Sequence, residues 1–392
     1  MLDVTTWYRE QAHSRVPASI VRQFTLGDSD YSERVMRWPT VKQSWDDIRP
    51  MAFTVRLAND DGGMNFIRDD KVIMRNPVAF NFGFTHPDSG DETVTMFSGT
   101  VERVRYVNGT CEIVTTDKFK QLSERIMGDN DNPVDLTTSD YLPSDIAWYA
   151  ITSWGGYDST QDSSNQDIHW PAFAEWAEIF SADNITMHGY FDGQKVTEVL
   201  RRIARSTMSG IFVQDDKINF NRFSIADTLV TSLTAEHIGQ TIVEFNDAET
   251  VNKQYVGADY RGSDPSFQVN VVSVDSDSVN SYGAREHMER DEMVYYTDSA
   301  SALNFAQRKV LIYGKPFDEF KVMTFLHGSP YSIGDVLTHT DSFFGIDTEG
   351  GRIMEKSFDM TRGRSELKVD RSQLYNAFHC NCSQLNGTDV LT

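Results

Sequence analysis

Cysteine is nearly missing from this chain. Cys111, Cys380 and Cys382 are the only three in 392 residues, too few for a disulfide framework. Long apolar runs are missing too: no stretch approaches the roughly 18 uninterrupted apolar residues that a membrane helix needs. The opening MLDVTTWYREQAHSR holds no apolar segment of the kind a secretory leader carries, so the expectation is a chain made and kept in solution in a cytoplasm. Positive charge is scarce: 36 Lys and Arg stand against 58 Asp and Glu, a formal charge of −22. Tight nucleic-acid binding relies on cations that replace phosphate counterions, so the balance argues against a dedicated DNA- or RNA-binding protein. A surface that nucleic acid slides past without sticking remains compatible with it, and so does plain solubility.

Catalytic signatures are absent as a group. There is no nucleophile elbow, phosphate-binding loop, HExxH or paired CxxC. His287-Met288-Glu289 has no zinc spacing. DNDNPVD (129–135) starts like a calcium loop, but Pro133 falls where a ligand is wanted and the expected glycine does not follow. Glu175 and Glu178 in AFAEWAEIF read as the wet face of a short helix, not as a glycosidase pair. HCNC offers three soft ligands, His379, Cys380 and Cys382, within four residues. Without a partner cluster these are weak metal candidates, completed at most between chains of a symmetric oligomer. The expectation is a non-enzyme with no catalytic residue and no cofactor.

What is present is β-leaning. Apolar residues make up 39% and aromatics 12%, in a chain long enough for two to four domains with real cores. The clearest local signal is FSGTVERVRYVNGTCEIVTTDKFKQLSERIMG (97–128), where alternation gives way to helical spacing. Asn108-Gly109 suits a two-residue turn with positive φ at both central positions. That turn sets Tyr106 opposite Cys111, Val104 opposite Ile113 and Arg105 opposite Glu112, with Cys111 as a small hydrophobe on the apolar face. Asp117 then caps a helix carrying Phe119, Leu122 and Ile126, ended by Gly128.

Further strands are expected at VRQFTLG, PMAFTVRLAND and KVIMRNPVAFNFGFTH. Polar loop follows from 129, with a short aromatic helix at 144–153. WGGYDSTQDSSNQD (154–167), poor in apolar residues, reads as mobile or contact-dependent. Val196, Val199, Leu200 and Ile203 lie at helical spacing before Gly210, which reads as the stop. IFVQDDKINF is then a hairpin about Asp215-Asp216. From 240 the pattern returns to strands, interrupted by a helix from Ser299 to Tyr313. The expected fold is mainly β with an α+β insertion. It comprises a β-barrel domain (1–128), a loop-rich insertion (129–185), a helix-plus-hairpin middle domain (186–237), a second β-barrel (238–376) and a tail (377–392).

The order of these segments resembles the baseplate or tail-tip hub proteins of tailed bacteriophages, a family shared with gene transfer agents and contractile injection machines. MFSGTVERVRYVNGTCEIVTTDKFKQLSERIMG is similar to that family's strand, hairpin and following helix. YFDGQKVTEVLRRIARSTMSGIFVQDDKINFNRF resembles its middle helix and hairpin. SVNSYGAREH with SALNFAQRKVLIYGKP resembles its later strand and helix, and YSIGDVLTHT a further strand. The likeness runs over roughly 20–370 and leaves out 154–170 and the HCNC tail. It implies two β-barrels per chain in a ring, most often a trimer, within a virion assembled in the host cytoplasm. The implied partners are tail tube and distal tail proteins, and tip, spike or fibre proteins, with possible host-envelope contact through the tip. DNA would pass transiently through the ring without sequence-specific binding. Two other readings stand beside it: a cell-wall hydrolase at a tail tip, and a receptor- or carbohydrate-binding module stacking sugars on Trp148, Trp154, Trp170 and Trp176.

Overall fold

The computed structural model describes residues 4–370 apart from 15–18, 46–47, 70–73, 130, 223–228, 235, 247–248, 262–265 and 344–345, so the HCNC tail lies outside the described residues. Strand takes 46% against 24% helix, and two of the sheets are half-barrels, so the fold is mainly β as the sequence leads one to expect.

The first half-barrel is a seven-stranded sheet. Its order is Ser29–Asp30, Ile20–Leu26, Pro77–His86, Gly90–Val107, Thr110–Thr116, Ala52–Ala58, Val35–Arg37. Alternation along these strands turns Phe24, Phe80, Phe82, Val55, Leu57 and Ile113 into one core. The helix Thr6–Ala12 closes it, capped by the Thr5 side chain and anchored by Tyr8, whose hydroxyl donates to the Phe82 carbonyl at 3.3 Å.

The hairpin at Asn108-Gly109 has the expected register: Tyr106 faces Cys111 and Val104 faces Ile113. Both turn residues have positive φ, +42° and +76°. The positive φ is what calls for glycine here; a Cβ at Gly109 would also lie 2.1 Å from Asp60 Oδ1 and push that side chain aside. Cys111 is fully buried, its thiol pushed up to about 11 by burial, which suits a packing role. One detail differs. Glu112 sits opposite Arg105 in register, yet it pairs with Arg56 of the other neighbouring strand at 2.8 Å. The following helix is shorter than its apolar spacing predicts: it spans Phe119–Glu124, and Ile126 is exposed in a two-residue strand paired with Gln194–Lys195.

The second half-barrel is also seven-stranded. Six strands run in the order Leu229–Leu233, Val336–Asp341, Ile346–Asp359, Arg364–Asp370, Phe317–Thr324, Ile238–Asn246. The seventh, Thr40–Ser44, comes from the N-terminal region and pairs with Ile346–Asp359, Val41 opposite Phe358. In return, Phe358 and Met360 complete the N-terminal core. The two half-barrels therefore share a strand and a core edge.

A third sheet takes two strands from before the second half-barrel and four from the stretch between Ile238–Asn246 and Phe317–Thr324. Its order is Val134–Tyr141, Met187–Phe191, Val294–Tyr296, Lys253–Arg261, Ser266–Val274, with Glu286–Glu289 added parallel to Lys253–Arg261. The helix Ser299–Tyr313 has the expected bounds. Asp298 caps it by accepting from Ala300 N and Ser301 N, and Ala302, Phe305, Ala306 and Val310 are buried.

The middle of the chain packs as one apolar body. Val199, Leu200 and Ile203 of the helix Val196–Thr207 meet the hairpin Ser209–Gln214 and Lys217–Arg222. That hairpin turns at Asp215-Asp216, with Val213 opposite Ile218 and Ile211 opposite Phe220, as the spacing predicts. The preceding helix ends at Met208 in the left-handed region, not at Gly210. Gly210 lies inside the strand, where a Cβ would fall 2.5 Å from the Trp45 ring. The predicted aromatic helix spans Pro143–Tyr149 and continues as a wider turn through Trp154.

Candidate assembly surface

Two regions have the makings of a functional site: a polar cleft, and an open sheet edge. The cleft, of about 740 Å³, lies where the N-terminal sheet meets the 154–167 loop and the Asp215-Asp216 turn. Lys118 dominates it. Its ammonium donates to Asp167 Oδ1 at 2.5 Å and to the Gln166 carbonyl at 3.2 Å, with Asp216 Oδ2 at 3.7 Å. The Tyr157 hydroxyl donates to the Lys118 carbonyl. Burial pushes Asp117 up to about 7; one of its oxygens accepts from Phe119 N at 3.1 Å and the other is buried without a hydrogen-bond partner. Burial likewise raises Asp216 above the ordinary carboxylate range. Among the described residues no His, Ser or Cys lines the cleft. The contacts of Lys118 and Tyr157 hold the 154–167 loop against the N-terminal sheet.

The same network corrects the reading of WGGYDSTQDSSNQD. Asn165 is fully buried and uses both ends of its amide. Nδ2 donates to the Asp158 and Thr160 carbonyls at 3.0 and 2.7 Å. Oδ1 accepts from Asp167 N and Ile168 N at 2.9 and 2.7 Å. Asp158 and Asp162 each close a local turn, and Lys217 donates to the Asn165 carbonyl at 2.6 Å. A segment with little apolar content is held by side-chain amides and carboxylates, which hydropathy cannot register.

The sequence-level candidates fall as follows. Trp176 is buried with its Nε1 donating to Ser209 Oγ at 2.8 Å, while Trp148 and Trp170 pack edge-to-face at 5.5 Å. Trp148, Trp154 and Trp170 are partly buried against the main core. These rings fill an interior; they do not form a flat platform for sugars. Glu175 and Glu178 are exposed on Trp170–Ala182. Asp129 closes its own loop by accepting from Asp131 N and Asn132 N. His379, Cys380 and Cys382 lie outside the described residues.

The open edge is Ser266–Val274, SFQVNVVSV. Among the described residues it pairs as a strand with Lys253–Arg261 alone, which makes it the edge of its sheet. It contains no charged residue and no proline. Residues 269 and 271 turn towards the core, while Val272 and Val274 are each 45% exposed. Register sets Val272 beside Tyr255, and Tyr255 beside Met288, which is 51% exposed. An apolar row thus crosses three strands and ends at an unpaired edge. Nothing in the sequence marks this strand as terminal, because edge position depends on pairings remote in the chain.

No family model matches the sequence, and no curated protein matches it. Solved structures do. The fold is similar to that of the tail protein from Neisseria meningitidis MC58, with a TM-score of 0.56 at 13% identity over 91% of this chain and 98% of that one. It is also similar to the 43 kDa tail protein of prophage MuSo2 from Shewanella oneidensis, with a TM-score of 0.53 at 14% identity over 90% and 98%. Along nearly its whole length, this chain has a fold similar to that of these two tail proteins.

Proposed function

We propose that this chain is a structural, non-enzymatic subunit of a phage-type tail, built into the tail-tip or baseplate hub as a closed homo-oligomer, most simply a trimer. The observation that carries the assembly is the open strand Ser266–Val274. A nine-residue neutral edge with exposed valines is an aggregation hazard unless another chain covers it. The occupant is a second copy of this chain, since one heterologous contact repeated about an axis closes into a ring. The fold shared with two tail proteins supports the place of that ring in a virion.

Two half-barrel sheets per chain give a threefold ring a pseudo-sixfold face suited to a sixfold tube, with tip, spike or fibre proteins on the far side. The net charge of −22 per copy suits a channel wall that DNA passes without binding. Screening over ~8–10 Å restricts that effect to carboxylates near the lumen. Native mass spectrometry of the chain, alone and co-expressed with a tail tube protein, tests the reading. A trimer that joins the tube protein is expected. A monomer that ignores it overturns the proposal.

A further inference from the structure

Three histidines that are far apart in sequence meet at the seam between the half-barrels. His13 ends the helix Thr6–Ala12, His237 lies in the turn before Ile238–Asn246, and His327 lies in the turn Leu326–Gly328 after Phe317–Thr324. Their ring centroids are 4.8 Å (His13–His237), 5.0 Å (His13–His327) and 4.7 Å (His237–His327) apart. One ring nitrogen from each lies within 4.8 Å of the others. His327 is only 8% exposed, and its Nδ1 is buried without a hydrogen-bond partner. Leaving such a nitrogen unpaired costs about 1–3 kcal/mol, and this buried imidazole sits beside two others, where a shared ligand would relieve that cost.

We propose that His13, His237 and His327 form a site for one divalent late-transition metal ion, Zn²⁺ by preference, which staples the N-terminal helix to the second half-barrel. Three imidazoles with no carboxylate in the group favour Zn²⁺, Co²⁺, Ni²⁺ or Cu²⁺ over Mg²⁺ or Ca²⁺. Zinc bonds of ~2.0–2.1 Å in a tetrahedron hold nitrogens roughly 3.3 Å apart, so the three must close by roughly 1.5 Å along an edge. His13 and His237 are half-exposed, one at a helix end and one in a turn, and have room to rotate. The half-open side leaves a fourth position for water.

Supports for the bound rings are in place. The Tyr331 hydroxyl is 3.3 Å from His13 Nε2 and can accept the N–H that a metal-bound imidazole keeps, while His237 Nδ1 accepts from Thr234 N at 3.3 Å, which orients its ring. The helix is already tied to the same turn region, with the Tyr8 hydroxyl 3.3 Å from Ser329 Oγ. Metal at this point would add a cross-link between segments that chain connectivity leaves far apart.

Untagged full-length protein is stripped with chelator and titrated with Co²⁺, then with Zn²⁺ in competition. The expected result is one equivalent per chain with a visible tetrahedral Co²⁺ spectrum, and a melting temperature that rises on adding Zn²⁺. His237→Ala and His13→Ala, both at half-exposed positions, are each expected to weaken binding at least tenfold and abolish the thermal shift. The double variant Cys380→Ser/Cys382→Ser should bind as the parent does, without a thiolate charge-transfer band in either protein. Absence of stoichiometric uptake, or uptake that follows the cysteines and ignores the histidines, overturns the proposal.

Discussion

The edges of the N-terminal sheet and the edge of the third sheet are built to opposite rules. The first sheet ends in Ser29–Asp30 on one side and Val35–Arg37 on the other, two and three residues long. Edges that short offer little to a passing strand. The third sheet ends in Ser266–Val274, nine residues without a charge, twist-inducing proline or covering strand. In the proposed assembly, the neighbouring copy covers the open edge and not the short ones.

That contrast breaks most sharply at Val272. Val272→Lys places a charge on the exposed row and should weaken self-association at least 100-fold by sedimentation. The folded monomer should shift by no more than ~0.5 kcal/mol, because the side chain is half-exposed. Met36→Lys, on the short edge of the first sheet, is the matched control and should leave association unchanged. Equal effects from both would remove the distinction.

Gly109→Val tests the first sheet's interior logic. The left-handed backbone alone costs about 1–2 kcal/mol for a residue with a Cβ, and contact with Asp60 adds to it. Denaturant unfolding should show a loss of roughly 2–4 kcal/mol, with association of the remaining folded chain unaltered. Asn165→Ala strands four main-chain groups, three in the 154–167 loop and Ile168 N just after it, and should cost about 2–3 kcal/mol, with faster proteolysis confined to that loop.

The smallest effect concerns pH. Burial lifts Asp117 to about 7, so between its ordinary value near 4 and about 7 the folded chain keeps a proton that the unfolded chain has released. Stability therefore falls as pH rises across that window and is flat above it. Asp370, also lifted to about 7 by burial and then by Glu319 and Glu249, acts in the same direction. Asp117→Asn should remove its share of the slope between pH 4 and 7, while its side-chain oxygen still accepts from Phe119 N. An unchanged slope would show that Asp117 is not the titrating group.

Local physics made much of this legible in the sequence. Asn108-Gly109 and Asp215-Asp216 set their hairpins because turn chemistry and alternation act over a few residues. Ser299–Tyr313 was readable from its apolar spacing and the Gly314 that follows it. The strand Ser266–Val274 could be read as a strand, but its edge position could not, since that follows from pairings across the third sheet. The crossing of Thr40–Ser44 into the second half-barrel left no local mark either. Nor did the histidine cluster, whose members come from three separate turns and helix ends. The 154–167 loop misled for a different reason: its order comes from polar bonds in a segment that hydropathy scores as loose.

The most direct test of the central claim is backbone hydrogen exchange at Ser266–Val274, followed as the protein is diluted from assembled to monomeric. The outward amides of this strand should exchange quickly in the monomer and slow at least tenfold on assembly, while the edges at Ser29–Asp30 and Val35–Arg37 stay unchanged. Exchange at Ser266–Val274 that is indifferent to concentration, in a sample shown to assemble, would contradict the account and move the interface elsewhere.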